Sequence, residues 1–90
     1  MNKIFKVLEK SKSIEILVAL YDKEKLFLSE LLEKLDTKDT NTINRRIDLL
    51  RDSGLIKEKS EAKFGGRRYI WLTEKGKKIA LLLTEIGKTE

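Results

Sequence analysis

The sequence predicts a single α+β domain, mainly helical, with five helices and a small three-stranded antiparallel sheet. Three observations lead there. Apolar residues recur at helical spacing in five separate segments, and the residues just before Thr73 alternate with a period of two. A Gly65-Gly66 pair, free to take positive φ, joins that alternating segment to an earlier strand-like one.

In the first segment, Asn2 to Lys10, Ile4, Phe5 and Leu8 share one helical face, and Ser11-Lys12-Ser13 offers N-cap oxygens for a second helix. From Ile14 to Tyr21 the apolar positions form two stripes: Ile14, Leu17, Val18 and Tyr21 on one side, Ile16 and Leu20 on the other. A helix apolar on two sides belongs in the middle of a domain. Leu26-Phe27-Leu28 suits a three-residue strand. Ser29 reads as the cap of a short helix with Leu31, Leu32 and Leu35 inward and Glu30 favouring its dipole.

After Asp36-Thr37-Lys38, Asp39 can cap a helix running to Ser53, in which Ile43, Ile47 and Leu50 recur at i, i+4 and i+7 and Gly54 marks the end. Two helices joined by a short polar turn, the second with a polar outer face, make the outline of a helix-turn-helix. Leu55 to Ser60 and Arg67 to Leu72 form the hairpin around the turn Glu61 to Gly66, with Ile70 and Leu72 pointing one way and Tyr69 and Trp71 the other. Thr73 can cap a last helix striped by Ile79, Leu82, Leu83 and Ile86.

Composition narrows the function. Ninety residues make one domain, spanning 1–90 with its core in about 11–80, and bury only about 60–65% of the surface exposed on unfolding. With no Cys and no His, disulfides, thiol nucleophiles, imidazole bases and soft-metal sites are excluded, and the carboxylates sit at ordinary helix-surface or capping positions. The sequence therefore argues against an enzyme and against a cofactor or metal. The apolar runs fall far short of the ~20 residues of a spanning helix, and the start Met1-Asn2-Lys3-Ile4-Phe5 lacks the apolar stretch of a secretory signal. A cytoplasmic protein with no membrane association is expected.

The net charge of +5 is unevenly placed. Residues 1–35 carry seven basic and six acidic side chains, whereas residues 59–68 carry Lys59, Lys63, Arg67 and Arg68 against Glu61 alone.

The run from Thr42 to Ile56 (TINRRIDLLRDSGLI) resembles the recognition helix and following strand of winged-helix regulators of the MarR and ArsR type. Arg67 to Gly76 (RRYIWLTEKG) resembles their second wing strand and helix start, at the matching distance. The resemblance covers roughly residues 11–80 and implies a winged helix-turn-helix with flanking N- and C-terminal helices. MarR-type regulators are usually longer, and ArsR-type metal sensors use Cys, His and acidic ligands, of which this chain has neither Cys nor His.

The resemblance implies double-stranded DNA as partner. Base contacts come from the start of such a helix: Arg45 onto guanine, Asn41 or Asn44 onto adenine, Thr40 and Thr42 onto phosphate or a thymine methyl, with Arg46 nearer the inner edge. Lys59, Lys63, Arg67 and Arg68 of the wing would meet phosphates or the minor groove. Each also has a plain structural reading, namely helix capping for Thr40, Asn41 and Thr42, and a solvated charged surface for the basic residues. Tyr69 and Trp71 read as packing residues.

Ile4, Phe5 and Leu8 at one end and Leu82, Leu83 and Ile86 at the other would be hidden in a homodimer, or by packing of the two terminal helices on each other. The leading expectation is a homodimeric, sequence-specific transcription regulator. The alternatives are a winged-helix adaptor that binds another protein and a non-specific architectural DNA-binding protein.

Overall fold

The computed structural model describes residues 2–23, 25–60 and 68–89. Five helices and three strands follow in the order α1 (Lys3–Glu9), α2 (Ser13–Tyr21), β1 (Leu26–Phe27), α3 (Leu28–Lys34), α4 (Thr40–Asp52), β2 (Ile56–Ser60), β3 (Arg68–Leu72) and α5 (Glu74–Gly87). The strands form one antiparallel sheet in the order β1-β3-β2. Leu26 pairs with Ile70 on one side of β3, and Ile56 to Ser60 pair with Leu72 to Arg68 on the other. The predicted fold class, a mainly helical α+β winged helix-turn-helix, is the one observed.

The core lies where α2, α3 and α4 meet the inner face of the sheet. Ile16, Leu17, Leu31, Ile43, Ile47, Leu50, Leu55 and Ile70 are fully buried there. The helix α2 packs on α1, α3, α5 and β3, with Ile16 and Leu20 of one stripe and Leu17 of the other buried, while Ile14 and Tyr21 are exposed. Its cap differs from the expected one. No serine side chain caps it; Lys12, in left-handed conformation (φ 71°), occupies the N-cap, and Ser13 is the first helical residue, buried with no hydrogen-bond partner for its hydroxyl among the described residues.

The β1 strand is one residue shorter than expected, and α3 starts at Leu28, so Ser29 lies inside the helix. The expected role of Glu30 survives in another form: its carboxylate accepts the Phe27 backbone N–H (2.9 Å), closing the first turn.

The turn between α3 and α4 is held by local bonds. Asp36 takes φ 51°, a conformation that Asp tolerates better than most residues. The Asp39 N–H donates to the Thr37 hydroxyl (3.1 Å), and the Asp39 carboxylate accepts the Thr42 N–H (3.1 Å) and hydroxyl (2.6 Å). Gly54 (φ 78°) ends α4 in a Schellman motif, its N–H donating to Arg51 and that of Leu55 to Leu50. The chain thereby turns directly from α4 into β2. Among the described residues no helix is long and apolar enough to cross a membrane.

Candidate nucleic-acid interface

The helix α4 is two-sided. Ile43, Ile47 and Leu50 are wholly buried, so Thr40, Asn41 and Arg45 are left on the exposed side at its start. The first turn carries no acidic side chain, and the capping Asp39 is turned onto Thr42. Those two bonds, and to a lesser extent the charge of Arg45 nearby, hold the Asp39 carboxyl below its ordinary pKa. Thr42 is thereby committed to the cap, and the Thr40 hydroxyl bonds weakly to the Lys38 carbonyl (3.4 Å). Neither Asn41 nor Arg45 makes a side-chain hydrogen bond or ion pair among the described residues.

The other two polar residues expected at this helix start are engaged with protein atoms. Arg46 reaches the α1-α2 corner, its Nε donating to the Ser11 carbonyl (2.8 Å). Asn44 accepts at Oδ1 from Arg68 (2.8 Å), which also donates to Glu58 of β2 (2.7 Å). Arg68, expected in the wing as a phosphate or minor-groove contact, is thus held against α4.

Lys59 stands exposed on the opposite face of the hairpin, across from Tyr69. Tyr69 packs on Phe27 (ring centroids 4.5 Å apart), with the Lys25 ammonium over its ring at 4.9 Å, and Trp71 is half-buried. Lys63, Arg67 and the Gly65-Gly66 turn lie outside the described residues.

A group not singled out in the sequence completes the site. Arg51, one turn beyond Asp48, lies 3.3 Å from Asp48 and 3.4 Å from Glu58, and Arg68 lies 4.0 Å from Asp48. Arg51 also donates to Asp52 (3.3 Å), so on the C-terminal half of α4 and the adjoining strands two arginines face three carboxylates, Asp48, Asp52 and Glu58. Among the described residues, the positive charge of α4 with neither a hydrogen bond nor an ion pair lies at its start, on Arg45.

The residues expected to form a dimer face divide into two sets. Phe5, Leu82 and Ile86 are about 60% exposed or more, whereas Ile4, Leu8 and Leu83 pack partly against the core. Both terminal helices lean on α2.

No family model matches the chain, and no curated protein matches it in sequence. Solved structures do match it. A Porphyromonas gingivalis W83 protein assigned to the MarR family of transcriptional regulators superposes with a TM-score of 0.85 at 21% identity, covering 96% of this chain and 83% of that one. A Thermoplasma volcanium protein described as an HxlR-family transcription factor superposes with the same score at 21% identity, covering 98% and 78%. The reduced form of the regulator YodB from B. subtilis gives 0.79 at 19% identity, covering 94% and 82%. At these identities the likeness establishes the winged-helix fold.

Proposed function

We propose that this chain is a sequence-specific, double-stranded DNA-binding transcriptional regulator that acts as a cytoplasmic homodimer without a metal or cofactor. The observation that carries the reading is the start of α4, where Asn41 and Arg45 project without a partner among the described residues from a helix whose Ile43, Ile47 and Leu50 are buried on the other side. A rigid helix with free polar groups at its N-terminal end is what entry into a major groove requires. Arg45 supplies a two-pronged donor for guanine, Asn41 an amide for adenine, Asn44 a second amide beside them, and Thr40 a phosphate contact. Lys59 supplies charge from the hairpin. The fold shared with proteins described as transcriptional regulators supports the same reading.

The dimer follows from the exposed Phe5, Leu82 and Ile86, apolar surface that a second copy would cover. The two helix starts would then be set about 34 Å apart on one face of the duplex.

Selection of bound sequences from a random duplex library tests all of this together. Inverted half-sites are the expected enrichment, and Arg45→Ala should lose roughly 1–3 kcal/mol of discrimination at one base pair. No enrichment, with equal binding to every duplex, would defeat sequence-specific regulation.

A further inference from the structure

The hairpin and α4 are joined by a ladder of alternating charge. Strand alternation puts Arg68 on the same sheet face as the buried Ile70 and Leu72, and Glu58 on the same face as the buried Ile56. Beyond Ile56 and Ile70 the described positions on that face are polar: Glu58, Ser60 and Arg68. The Arg68 guanidinium lies between Asn44 of α4 (2.8 Å) and Glu58 of β2 (2.7 Å), and Arg51 closes the far side between Asp48 and Glu58. The Arg68 and Glu58 side chains are only 24% and 18% exposed. A planar fork held on two sides at these distances is a fixed element, unlike a surface cation free to follow a phosphate.

The chemistry of the pair determines how Asn44 is presented. A guanidinium has donors and no acceptor, so the amide that meets it must turn its oxygen inward. Two N–H donors at Nδ2 remain. We infer that Arg68 is a positioning residue for base recognition: it orients the Asn44 amide as a hydrogen-bond donor toward a base-edge acceptor and locks the hairpin to α4, and it does not neutralise a phosphate. The acceptors available to such a group in the major groove are guanine O6 and N7, adenine N7 and thymine O4. The inference rests on the reading of α4 as the recognition helix.

The experiment compares the full chain with Arg68→Lys, Arg68→Ala, Asn44→Ala, Glu58→Gln and the Arg68→Lys/Asn44→Ala pair on the duplex enriched by selection. Affinity is measured against salt and against every single-pair substitution, with thermal unfolding to check that each variant is folded. Arg68→Lys keeps the charge but cannot grip Asn44 and Glu58 together. It should keep the salt slope and lose discrimination at one base pair by the same factor as Asn44→Ala, roughly 5–150-fold, with no further loss in the double variant. Glu58→Gln, which leaves Arg68 in place but loosens it, should lose discrimination at that same pair, with the affinity for the enriched duplex falling toward that for its substituted forms.

The opposite pattern would overturn the inference: Arg68→Lys indistinguishable from wild type, and Arg68→Ala reducing the salt slope by about 0.9 with discrimination intact, the behaviour of a phosphate contact. A wild-type chain that enriches no sequence removes the regulator reading and this inference with it, and that result is seen before any variant is compared.

Discussion

Gly76 is the position where one methyl group should do the most damage. It lies in the first turn of α5, buried, with its N–H donating to the Thr73 hydroxyl (3.0 Å). Thr73 ties the helix start to the end of α4, its hydroxyl donating to the Gly54 carbonyl (2.7 Å) and its N–H to the Leu55 carbonyl (3.0 Å). A Cβ at Gly76 would stand 1.9 Å from the Leu55 carbonyl oxygen and 2.9 Å from its carbon, both backbone atoms with no rotamer to escape into. Reaching an ordinary 3.4 Å contact requires α5 to retreat by about 1.5 Å, further than the bonds at Thr73 can stretch. Overpacking costs about 1–3 kcal/mol and each lost bond about 0.5–1.5 kcal/mol, against a gain of about 0.5–1 kcal/mol in helix propensity.

Gly76→Ala should therefore destabilise by roughly 3 kcal/mol, which lowers Tm by about 12–24 °C in a domain of this size. Thermal unfolding followed by far-ultraviolet circular dichroism reads this directly. Gly87→Ala, in the last turn of the same helix with open space around it, is the control and should leave Tm unchanged or slightly raised. A Gly76→Ala variant that melts within about 2 °C of wild type would refute the claim that α5 is pinned against Leu55.

Three further outcomes follow from the fold. Ser13→Ala removes a buried hydroxyl with no hydrogen-bond partner among the described residues and should raise stability by about 1 kcal/mol in urea denaturation, whereas a loss would mean the hydroxyl is bonded after all. Arg46→Ala frees α4 from the Ser11 carbonyl and should cost about 1 kcal/mol; Arg46→Lys, lacking the same Nε geometry, should not restore it. The Asp39 carboxyl has its pKa lowered by folding, so the unfolded chain binds the proton more tightly. Its contribution is present in full above the ordinary carboxylate value and lost as pH falls through the lower folded one. Asp39→Asn should flatten that acid limb of the Tm-against-pH curve, and an unchanged limb would count against the cap.

Much of the fold was legible because local and global signals coincide. The spacing of Ile43, Ile47 and Leu50 announced both a helix and its buried face, and Gly54 announced its end. The caps at Ser11-Ser13 and Ser29 were misread because composition marks a turn without fixing which residue takes the strained conformation. At the first corner it is Lys12, and at the second the short β1 runs straight into α3.

The site was legible in outline, and its main ambiguity could have been resolved by parity. Arg68 lies in step with Ile70 and Leu72, so an inward Ile70 carries Arg68 inward as well. Charge counting treated Arg67 and Arg68 alike. No signal in the sequence ties Arg51 to Glu58, because that contact depends on how α4 crosses the hairpin.

The ladder also bears on why the proposed regulator would need two copies. With Asp48, Arg51, Glu58 and Arg68 satisfied among themselves, base reading on this helix falls to Asn41, Asn44 and Arg45 at its start. Each correctly read pair is worth about 1–3 kcal/mol, while specific binding in general stands about 4–10 kcal/mol above non-specific. Three such contacts sum to about 3–9 kcal/mol, short of the upper end of that range, and a site of a few base pairs recurs too often to mark one location. A second copy doubles the number of bases read without adding a contact type, and the symmetry of an isologous pair requires the repeats to be inverted. The exposed Phe5, Leu82 and Ile86 lie on α1 and α5, both packed on α2, so a partner held there would dock on helices other than the reading one. Replacing Leu82 and Ile86 by lysine should then reduce binding to the paired half-sites to the weak level of a single half-site, and a monomer that still binds the paired site at full strength would break the link between the apolar face and recognition.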